Sequence, residues 1–117
     1  MPKLITKPTA IEVPGGKEIL EFVGVVNSGS AEVSVAKMTA PPNWTEPYQT
    51  PQFDEITLVL SGKVQIEHDG GVIVVHAGEA VITKAGERIR YSTLELDTEY
   101  VAICLPAFSP ELVNRED

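Results

Sequence analysis

Cysteine, basic residues and long apolar runs are all scarce in this sequence of 117 residues. The single cysteine, Cys104, excludes an intrachain disulfide, so nothing indicates a secreted, disulfide-stabilised fold. No apolar run approaches the roughly 20 residues of a membrane-spanning helix, and the sequence after Met1 lacks the apolar segment of a signal peptide. We therefore expect a cytoplasmic protein that does not enter a membrane.

Basic residues are outnumbered by acidic ones, 9 against 17, and the formal net charge is −8. Phosphate backbones and anionic lipid headgroups repel an acidic protein, so we expect neither a nucleic-acid nor a membrane partner. Hydrophobic residues make up 43% and charged residues 22% of the chain, the balance of an ordinary globular domain. This composition excludes wholesale disorder.

Glycine and proline, nine of each, divide the chain into short segments rich in Val, Ile and Thr, which are typical of strands. Asp69-Gly70 separates two such segments and predicts a hairpin, because glycine accepts the positive φ of the turn. Many short strands predict an all-β fold, an antiparallel β-barrel or jelly roll. The predicted strands cover residues 19–26, 32–38, 55–60, 63–68, 72–76, 80–83, 88–92 and 100–105, and a short helical turn is predicted at 110–113.

The same pattern divides the chain into a barrel domain, residues 19–108, and two ends. We expect residues 1–18 to be an extended arm that either caps the barrel or pairs with the edge of a second subunit. Residues 109–117 are predicted to be a largely solvated tail. Residues 72–75 are apolar on both faces, which predicts burial on both sides by a second sheet or a partner. Together with the arm, this segment predicts a homodimer.

Two motifs resemble those of a known family. Residues 53–62, FDEITLVLSG, resemble the second half of the first cupin motif, with six residues between Glu55 and Gly62. Residues 78–86, GEAVITKAG, resemble the second cupin motif, with Lys84 in the usual place of proline. With YVAICLPAF at 100–108, these segments are most similar to the ethanolamine-utilisation (EutQ-like) type. The resemblance implies a cupin-like double-stranded β-helix.

The resemblance also implies a divalent metal at the barrel mouth, held in most cupins by two histidines, the motif glutamate and a later histidine. In this sequence Glu55 is the only retained ligand position. The histidine positions are occupied by Gln49 and Pro51, or by Tyr48 and Thr50 with a longer spacer, and by Ile89. The only histidines, His68 and His76, lie on the intervening hairpin. Because these side chains cannot replace imidazoles, we expect no metal cofactor.

The loop of residues 44–53 is the most unusual stretch, since it concentrates aromatic, amide and carboxylate side chains. Apolar walls with a few hydrogen-bonding groups suit a small polar metabolite. The alternative is that the aromatic rings plug one end of the barrel. The predicted ligand-binding residues are Trp44, Glu46, Tyr48, Gln49, Gln52, Phe53, Thr57 and Tyr91.

Alternation along its strand directs Glu55, Thr57 and Val59 inward. A carboxylate facing the barrel mouth has a raised pKa, so Glu55 is a candidate general acid or base. The alternative is a carboxylate that only hydrogen-bonds its neighbours. Glu55 together with Glu46 is also a candidate all-oxygen site for Mg or Ca.

The segment around Ile89 has two interpretations. If Ile89 points inward, as its motif position implies, then Arg88 and Arg90 point outward and Tyr91 joins the pocket wall. A register slip of one residue reverses these directions and gives an anion-binding pocket. On other strands, His68 is predicted inside the barrel, His76 at an exposed strand end, and Cys104 as a buried small hydrophobe.

Three functional hypotheses follow. The first is a metal-independent cupin that binds a small polar metabolite in the barrel mouth. The second is an enzyme. The resemblance implies an acetate-kinase-like role in ethanolamine and acetate metabolism, in which Glu55 is the acid/base or a Mg ligand and Arg88 or Arg90 binds phosphate. Fold analogy alone adds a metal-assisted lyase or isomerase that acts on a small acid or sugar. The third is a structural subunit that displays only an interface.

Overall fold

The Val-, Ile- and Thr-rich segments form nine strands in the computed structural model, which describes residues 1–116. Each strand alternates its side chains between two faces, and glycine-containing turns separate most of them. The strands are β1 (Thr9–Ile11), β2 (Glu18–Val23), β3 (Ser34–Ala40), β4 (Asp54–Ser61), β5 (Lys63–His68), β6 (Gly71–His76), β7 (Ala80–Thr83), β8 (Ile89–Thr93) and β9 (Thr98–Leu105), followed by a helical turn, α1 (Pro110–Val113).

The strands build two antiparallel sheets. The larger has the order β1-β2-β3-β9-β4-β7 and the smaller the order β6-β5-β8. The final strand, β9, lies at the centre of the larger sheet, between β3 and β4. The predicted all-β, antiparallel jelly-roll fold is therefore confirmed, and the helical turn at 110–113 is present.

One apolar core joins the two sheets. Val59 and Tyr100 of the larger sheet pack in the same cluster as Val64, Ile66 and Ile89 of the smaller sheet. All five side chains are about 1% exposed, so their burial holds the inner faces of the sheets together. The side chains that alternate with this core on the same faces therefore point into the interior.

Gly62 shows why the first motif ends in glycine. Its φ is +76°, a left-handed conformation that L side chains rarely adopt. A Cβ atom there would lie 2.9 Å from the Cα atom of Thr98 and would also collide with the carbonyl oxygen of Asp97. The tight turn between β4 and β5 therefore depends on the absence of a side chain.

The second predicted strand boundary was wrong because of a buried carboxylate. The sequence predicted a strand to residue 26, but β2 ends at Val23 and a loop follows. Glu21, 2% exposed, accepts hydrogen bonds from the backbone amides of Val26 (3.0 Å) and Asn27 (2.8 Å). These bonds hold residues 26 and 27 in a turn, and hence end the strand.

Both ends of the chain contact the barrel. In the amino-terminal arm, β1 pairs with β2 of its own chain, which adds an edge strand to the larger sheet. At the other end, Val113 is buried in a cluster with Phe53 and Cys104, and Leu112 packs against it. The prediction of a largely solvated tail is therefore wrong for Leu112 and Val113, although residues 114–116 are exposed.

Strand β6 is not covered on both faces within one chain. Val72, Ile73 and Val74 are 59%, 41% and 36% exposed, and only Val75 is buried. Within one chain a second sheet does not cover both faces, because only Val75 of this segment packs in the core; burial by a partner stays a prediction. Among the described residues, no helix has the length and apolar character needed to cross a bilayer.

Candidate functional site

A cavity of about 90 Å³ lies within the barrel, against the inner face of the larger sheet. Its apolar wall includes Met38 of β3, Phe53 before β4, and Tyr100 and Ala102 of β9. Polar side chains reach it from the amino-terminal arm, the loop 44–53, strands β4 and β8, and the carboxyl-terminal segment. They include Lys17, Glu46, Gln49, Glu55, Tyr91 and Arg115.

A second cavity of about 210 Å³ lies nearer the surface. We call it the vestibule; Pro14, Gly15, Trp44 and Pro47 are among the residues that line it. Three charged side chains line both the vestibule and the inner cavity: Lys17, Glu46 and Arg115. These side chains therefore stand at the boundary between solvent and the barrel interior.

Glu55 is the buried carboxyl group of the site, with 8% of its surface exposed. Thr57 Oγ1 donates a hydrogen bond to Glu55 Oε2 at 3.2 Å, and Cys104 Sγ approaches Glu55 Oε1 at 3.9 Å. Burial is the main cause that raises the pKa of Glu55 from 4.5 to about 7, while Lys17 opposes the rise and Glu46 adds to it. Near neutral pH this carboxyl group exchanges a proton readily.

Tyr91 stands beside Glu55 as a protonated phenol. It is 3% exposed, and its hydroxyl is 3.1 Å from Thr83 Oγ1. Thr83 lies opposite Glu55 in the β4–β7 register, which brings the three side chains together. Burial and the negative charge of Glu55 raise the pKa of Tyr91 well above its ordinary value. Tyr91 is thus a hydrogen-bond donor throughout the physiological pH range. Thr57, on the same strand as Glu55, donates a hydrogen bond to its carboxylate.

Two buried acceptor oxygens of the loop 44–53 have no hydrogen-bond partner among residues 1–116: Glu46 Oε2 and Gln49 Oε1. Both residues line the inner cavity. Burial raises the pKa of Glu46, against the opposing charges of Lys17 and Arg115. An unsatisfied buried acceptor costs about 1–3 kcal/mol, so a molecule that donates hydrogen bonds here would be stabilised.

Lys17 brings a positive charge into the same space. Its Nζ atom lies 4.4 Å from the ring centroid of Trp44 and 5.4 Å from that of Tyr100, which are cation–π contacts. Burial lowers the pKa of Lys17, although Glu46 and Glu55 act in the opposite direction. In the part of the chain that the structure describes, Lys17 forms no ion pair with either carboxylate.

Sequence reasoning missed Lys17, Tyr100 and Arg115. The alternation of Lys17, Ile19 and Glu21 was an available signal, since all three line the cavity on one face of the arm and β2. No comparable signal exists for Arg115, because its position depends on the packing of α1 against the barrel.

Three of the predicted ligand-binding residues line neither cavity. One of them, Thr57, is fully buried in β4. The other two belong to the loop 44–53. The Tyr48 ring is covered by the guanidinium groups of Arg88 (3.8 Å) and Arg90 (4.6 Å), and its hydroxyl donates to Glu67 at 3.2 Å. Gln52 is exposed. The expectation that both face the pocket is wrong, because an irregular loop does not alternate its side chains as a strand does. Of the remaining loop residues, Trp44 lines the vestibule, and Phe53 lines the inner cavity.

Arg88 and Arg90 point outward, while Ile89 and Tyr91 are buried. Arg88 pairs with Glu116 at 2.7 Å, and Arg90 pairs with Glu67 at 2.8 Å. The outward interpretation of this segment is therefore confirmed, and the anion-binding register is not the one observed.

The histidines and the cysteine make no catalytic pair. His68 is half-buried, not enclosed in the barrel, and its Nδ1 accepts a hydrogen bond from the Gly70 amide at 3.1 Å because the hairpin turns there. His76 is exposed. Cys104 is buried in the cavity wall, where burial and the charge of Glu55 raise the pKa of its thiol. A neutral thiol is a poor nucleophile.

The residues at the cavity do not fit a divalent metal. Glu55 and Gln49 line the cavity, but Ile89, at the later ligand position, is a core residue. Within residues 1–116 no group of three or more His, Cys, Asp or Glu side chains could hold a metal ion. The ammonium group of Lys17 would also repel a cation from the space between Glu46 and Glu55.

A two-sheet antiparallel barrel with a small polar cavity between its sheets is the architecture of a cupin. The cupin-domain family model matches residues 36–104, and the chain belongs to the cupin family.

One curated relative aligns with most of this chain. The endoribonuclease YbeY of Myxococcus xanthus is 41% identical over 102 residues, which are 86% of this chain and 35% of that protein. The chain therefore spans about a third of the length of the curated relative it matches.

Solved structures show the same fold. The ethanolamine utilization protein EutQ of Salmonella typhimurium has a TM-score of 0.67 and 23% identity over 79% of this chain and 71% of that chain. A variant of oxalate decarboxylase from Bacillus subtilis has a TM-score of 0.79 and 15% identity over 95% of this chain and 31% of that chain. Oxalate decarboxylase has Mn(II) centres. The chain is thus a small cupin similar in structure to EutQ.

Proposed function

We propose that this cupin binds a small polar metabolite inside its barrel without a metal ion. The observation that carries the proposal is a pair of acceptors buried at the cavity, Glu46 Oε2 and Gln49 Oε1, for which residues 1–116 supply no hydrogen-bond donor. A ligand with N–H or O–H donors would satisfy both oxygens and recover about 1–3 kcal/mol for each.

The shape and lining of the cavity support this function. A few polar groups set in an apolar wall are typical of small-molecule sites, because the wall excludes water while the polar groups orient the ligand. The inner cavity holds about 90 Å³, and the vestibule of about 210 Å³ gives a route from solvent. The ligand is therefore small.

The test is a calorimetric titration of the full chain with a panel of small amines, polyols and hydroxy acids. At least one class should bind saturably, and Gln49→Leu should weaken it about tenfold, because one hydrogen bond to the ligand is lost. Gln52→Leu is the matched control, since Gln52 is exposed in the same loop. Saturable binding by no class, or equal affinity in Gln49→Leu, would overturn the proposal.

A second candidate is an enzyme that uses Glu55 as a general acid or base. The pKa of about 7 at Glu55 favours it, since a proton donor or acceptor works best near the pH of operation. An acetate-kinase-like reaction has less support, because Arg88 and Arg90 are paired on the outer surface and not available to a phosphate in the cavity. Metal-assisted lyase or isomerase chemistry has less support because the donor set does not fit a metal.

Proton transfer at Glu55 would be detected as deuterium uptake from D₂O into a bound ligand, followed by NMR. Uptake that stops in Glu55→Gln, with ligand affinity retained, would support the enzyme. Binding without uptake at any neighbouring carbon would leave the binding module as the function.

We do not extend the endoribonuclease name of the Myxococcus xanthus relative to this chain. About two thirds of that protein lies outside the aligned region. The net charge of −8 also opposes binding of a phosphate backbone.

We further propose that the protein is a homodimer. Ile82 of β7, Leu58 of β4 and Leu105 of β9 are 65%, 39% and 44% exposed on the outer face of the larger sheet. Ile56 pairs with Ile82 on one side and with Ile103 on the other, so the apolar surface continues across three strands. A second copy of the same face fits it, because a twofold axis brings identical patches together.

A further inference from the structure

We propose that Lys17 is the anchor for the carboxylate of a small hydroxy acid, whose hydroxyl group donates to Gln49 or Glu46. This inference rests on the proposed function, and it names the class of ligand for the same cavity.

The first step is the position of the Lys17 ammonium group. The arm carries Lys17 across the boundary between vestibule and inner cavity, where Arg115 also lines both spaces. The rings of Trp44 and Tyr100 hold Nζ from one side through cation–π contacts. An aromatic face attracts the ammonium charge but accepts no strong hydrogen bond, so the three N–H donors of Lys17 are left for an anion.

The second step is that Lys17 and the acids share a cavity without pairing. Glu46 and Glu55 line the same space, yet neither forms an ion pair with Lys17 among residues 1–116. Within the described part of the chain, Glu46 Oε2 has no donor, and the Lys17 ammonium group has no carboxylate acceptor. A bridging molecule must therefore present an acceptor toward Lys17 and a donor toward Glu46 and Gln49.

A hydroxy acid offers both groups on adjacent carbons. A simple amine offers only donors, and its charge would be repelled by Lys17 and Arg115. A dicarboxylate offers only acceptors, and its second carboxylate would meet the acids on the inner side. The inner cavity of about 90 Å³ has room for only a few groups of the size of a water molecule. Two- or three-carbon acids such as glycolate and lactate meet these requirements.

The experiment is isothermal titration calorimetry of the full chain with glycolate, lactate, acetate and ethanolamine. Glycolate and lactate should bind about tenfold more tightly than acetate, since acetate lacks the hydroxyl donor. Ethanolamine should bind more weakly than either hydroxy acid.

Three variants assign the contacts. Lys17→Met should weaken glycolate binding at least about tenfold, whereas Lys17→Arg should retain most of it because the charge is kept. Lys37→Met is the matched control, since Lys37 pairs with Glu99 outside the cavity. Gln49→Leu should reduce the preference for glycolate over acetate, because one of the two acceptors for the hydroxyl group is lost. Should Lys17→Met fail to fold, the Lys17→Arg and Gln49→Leu results decide alone.

The outcomes separate this inference from the proposed function. Binding of ethanolamine in preference to glycolate would overturn the inference and leave a metabolite site in place. Equal glycolate affinity in Lys17→Met and the parent protein would also overturn it. If none of these four compounds binds but another class in the wider panel does, the inference alone is overturned. If no class binds at all, the inference and the proposed function are both overturned.

Discussion

Thr57 donates a hydrogen bond of 3.2 Å from Oγ1 to Oε2 of Glu55, its neighbour on the inner face of β4. A single hydroxyl offsets only part of the cost of burying an ionised carboxylate. The pKa of Glu55 is accordingly raised to about 7, and protonation of this group is coupled to the stability of the fold.

Glu55→Gln should change how stability depends on pH. The folded-state pKa of about 7 exceeds the ordinary 4.5, so the stabilisation from proton binding is present below 4.5 and lost as the pH rises to 7. The loss is about 3 kcal/mol in order of magnitude. The free energy of unfolding in urea should therefore fall more between about pH 5 and about pH 8 in the parent protein than in Glu55→Gln. Identical declines would contradict the prediction; Glu99→Gln, on the outer face, is the control.

Gly62→Ala should destabilise the protein by about 2–4 kcal/mol, because the new Cβ combines left-handed strain with a collision. Gly86→Ala is the matched control. Its φ is +90°, but no atom lies within 4 Å of the new Cβ, so only the backbone strain of about 1–2 kcal/mol remains. The measurement is the free energy of unfolding in urea. Equal losses at the two positions would show that the contact with Asp97 and Thr98 is relieved by relaxation.

Metal analysis of untagged protein purified without chelator should give Fe, Zn, Ni and Mn well below one per chain. The reason is that the cupin ligand positions carry one carboxylate (Glu55), one amide (Gln49) and an isoleucine (Ile89). The Lys17 ammonium group also lies in the same cavity. Near-stoichiometric metal that dialysis against EDTA removes together with thermal stability would contradict this prediction.

Ile82→Lys should reduce the mass in light scattering from twice that of the chain to that of a single chain. A charged side chain at position 82, where Ile82 is 65% exposed on the outer apolar face, would be buried unpaired in the dimer. Val25→Lys, at a 48%-exposed site on the loop after β2, should leave the mass unchanged. A parent protein with the mass of one chain would refute the homodimer directly.

The sequence predicted the strands well where one face is buried, because a period of two is a local property. Glu55, Thr57 and Val59 of β4 lie on the face that alternation assigned to them, and Ile89 of β8 points inward as its motif position implied. The residues that complete the cavity are set by contacts between distant segments. Lys17 reaches it from the amino-terminal arm, and Arg115 reaches it because the preceding turn, α1, packs against Phe53 and Cys104.

Irregular segments account for several of the other errors. Tyr48 and Gln49 are adjacent in a loop, and only Gln49 turns inward, through a backbone bridge with Ile89. Tyr48 is drawn outward by two guanidinium groups whose positions follow from β8. The end of β2 was misjudged because Glu21 binds two backbone amides of the next loop, which no periodicity reveals.

The arm that carries Lys17 is attached to the larger sheet by a strand of only three residues, β1. A short edge strand opens locally at little cost, and Val13, Pro14 and Gly15 would leave the vestibule wall with it. Fraying of this strand would therefore widen the route between solvent and the inner cavity. The β1 amides should exchange hydrogen far more slowly with a ligand bound. Their exchange rates would therefore report whether the barrel is occupied.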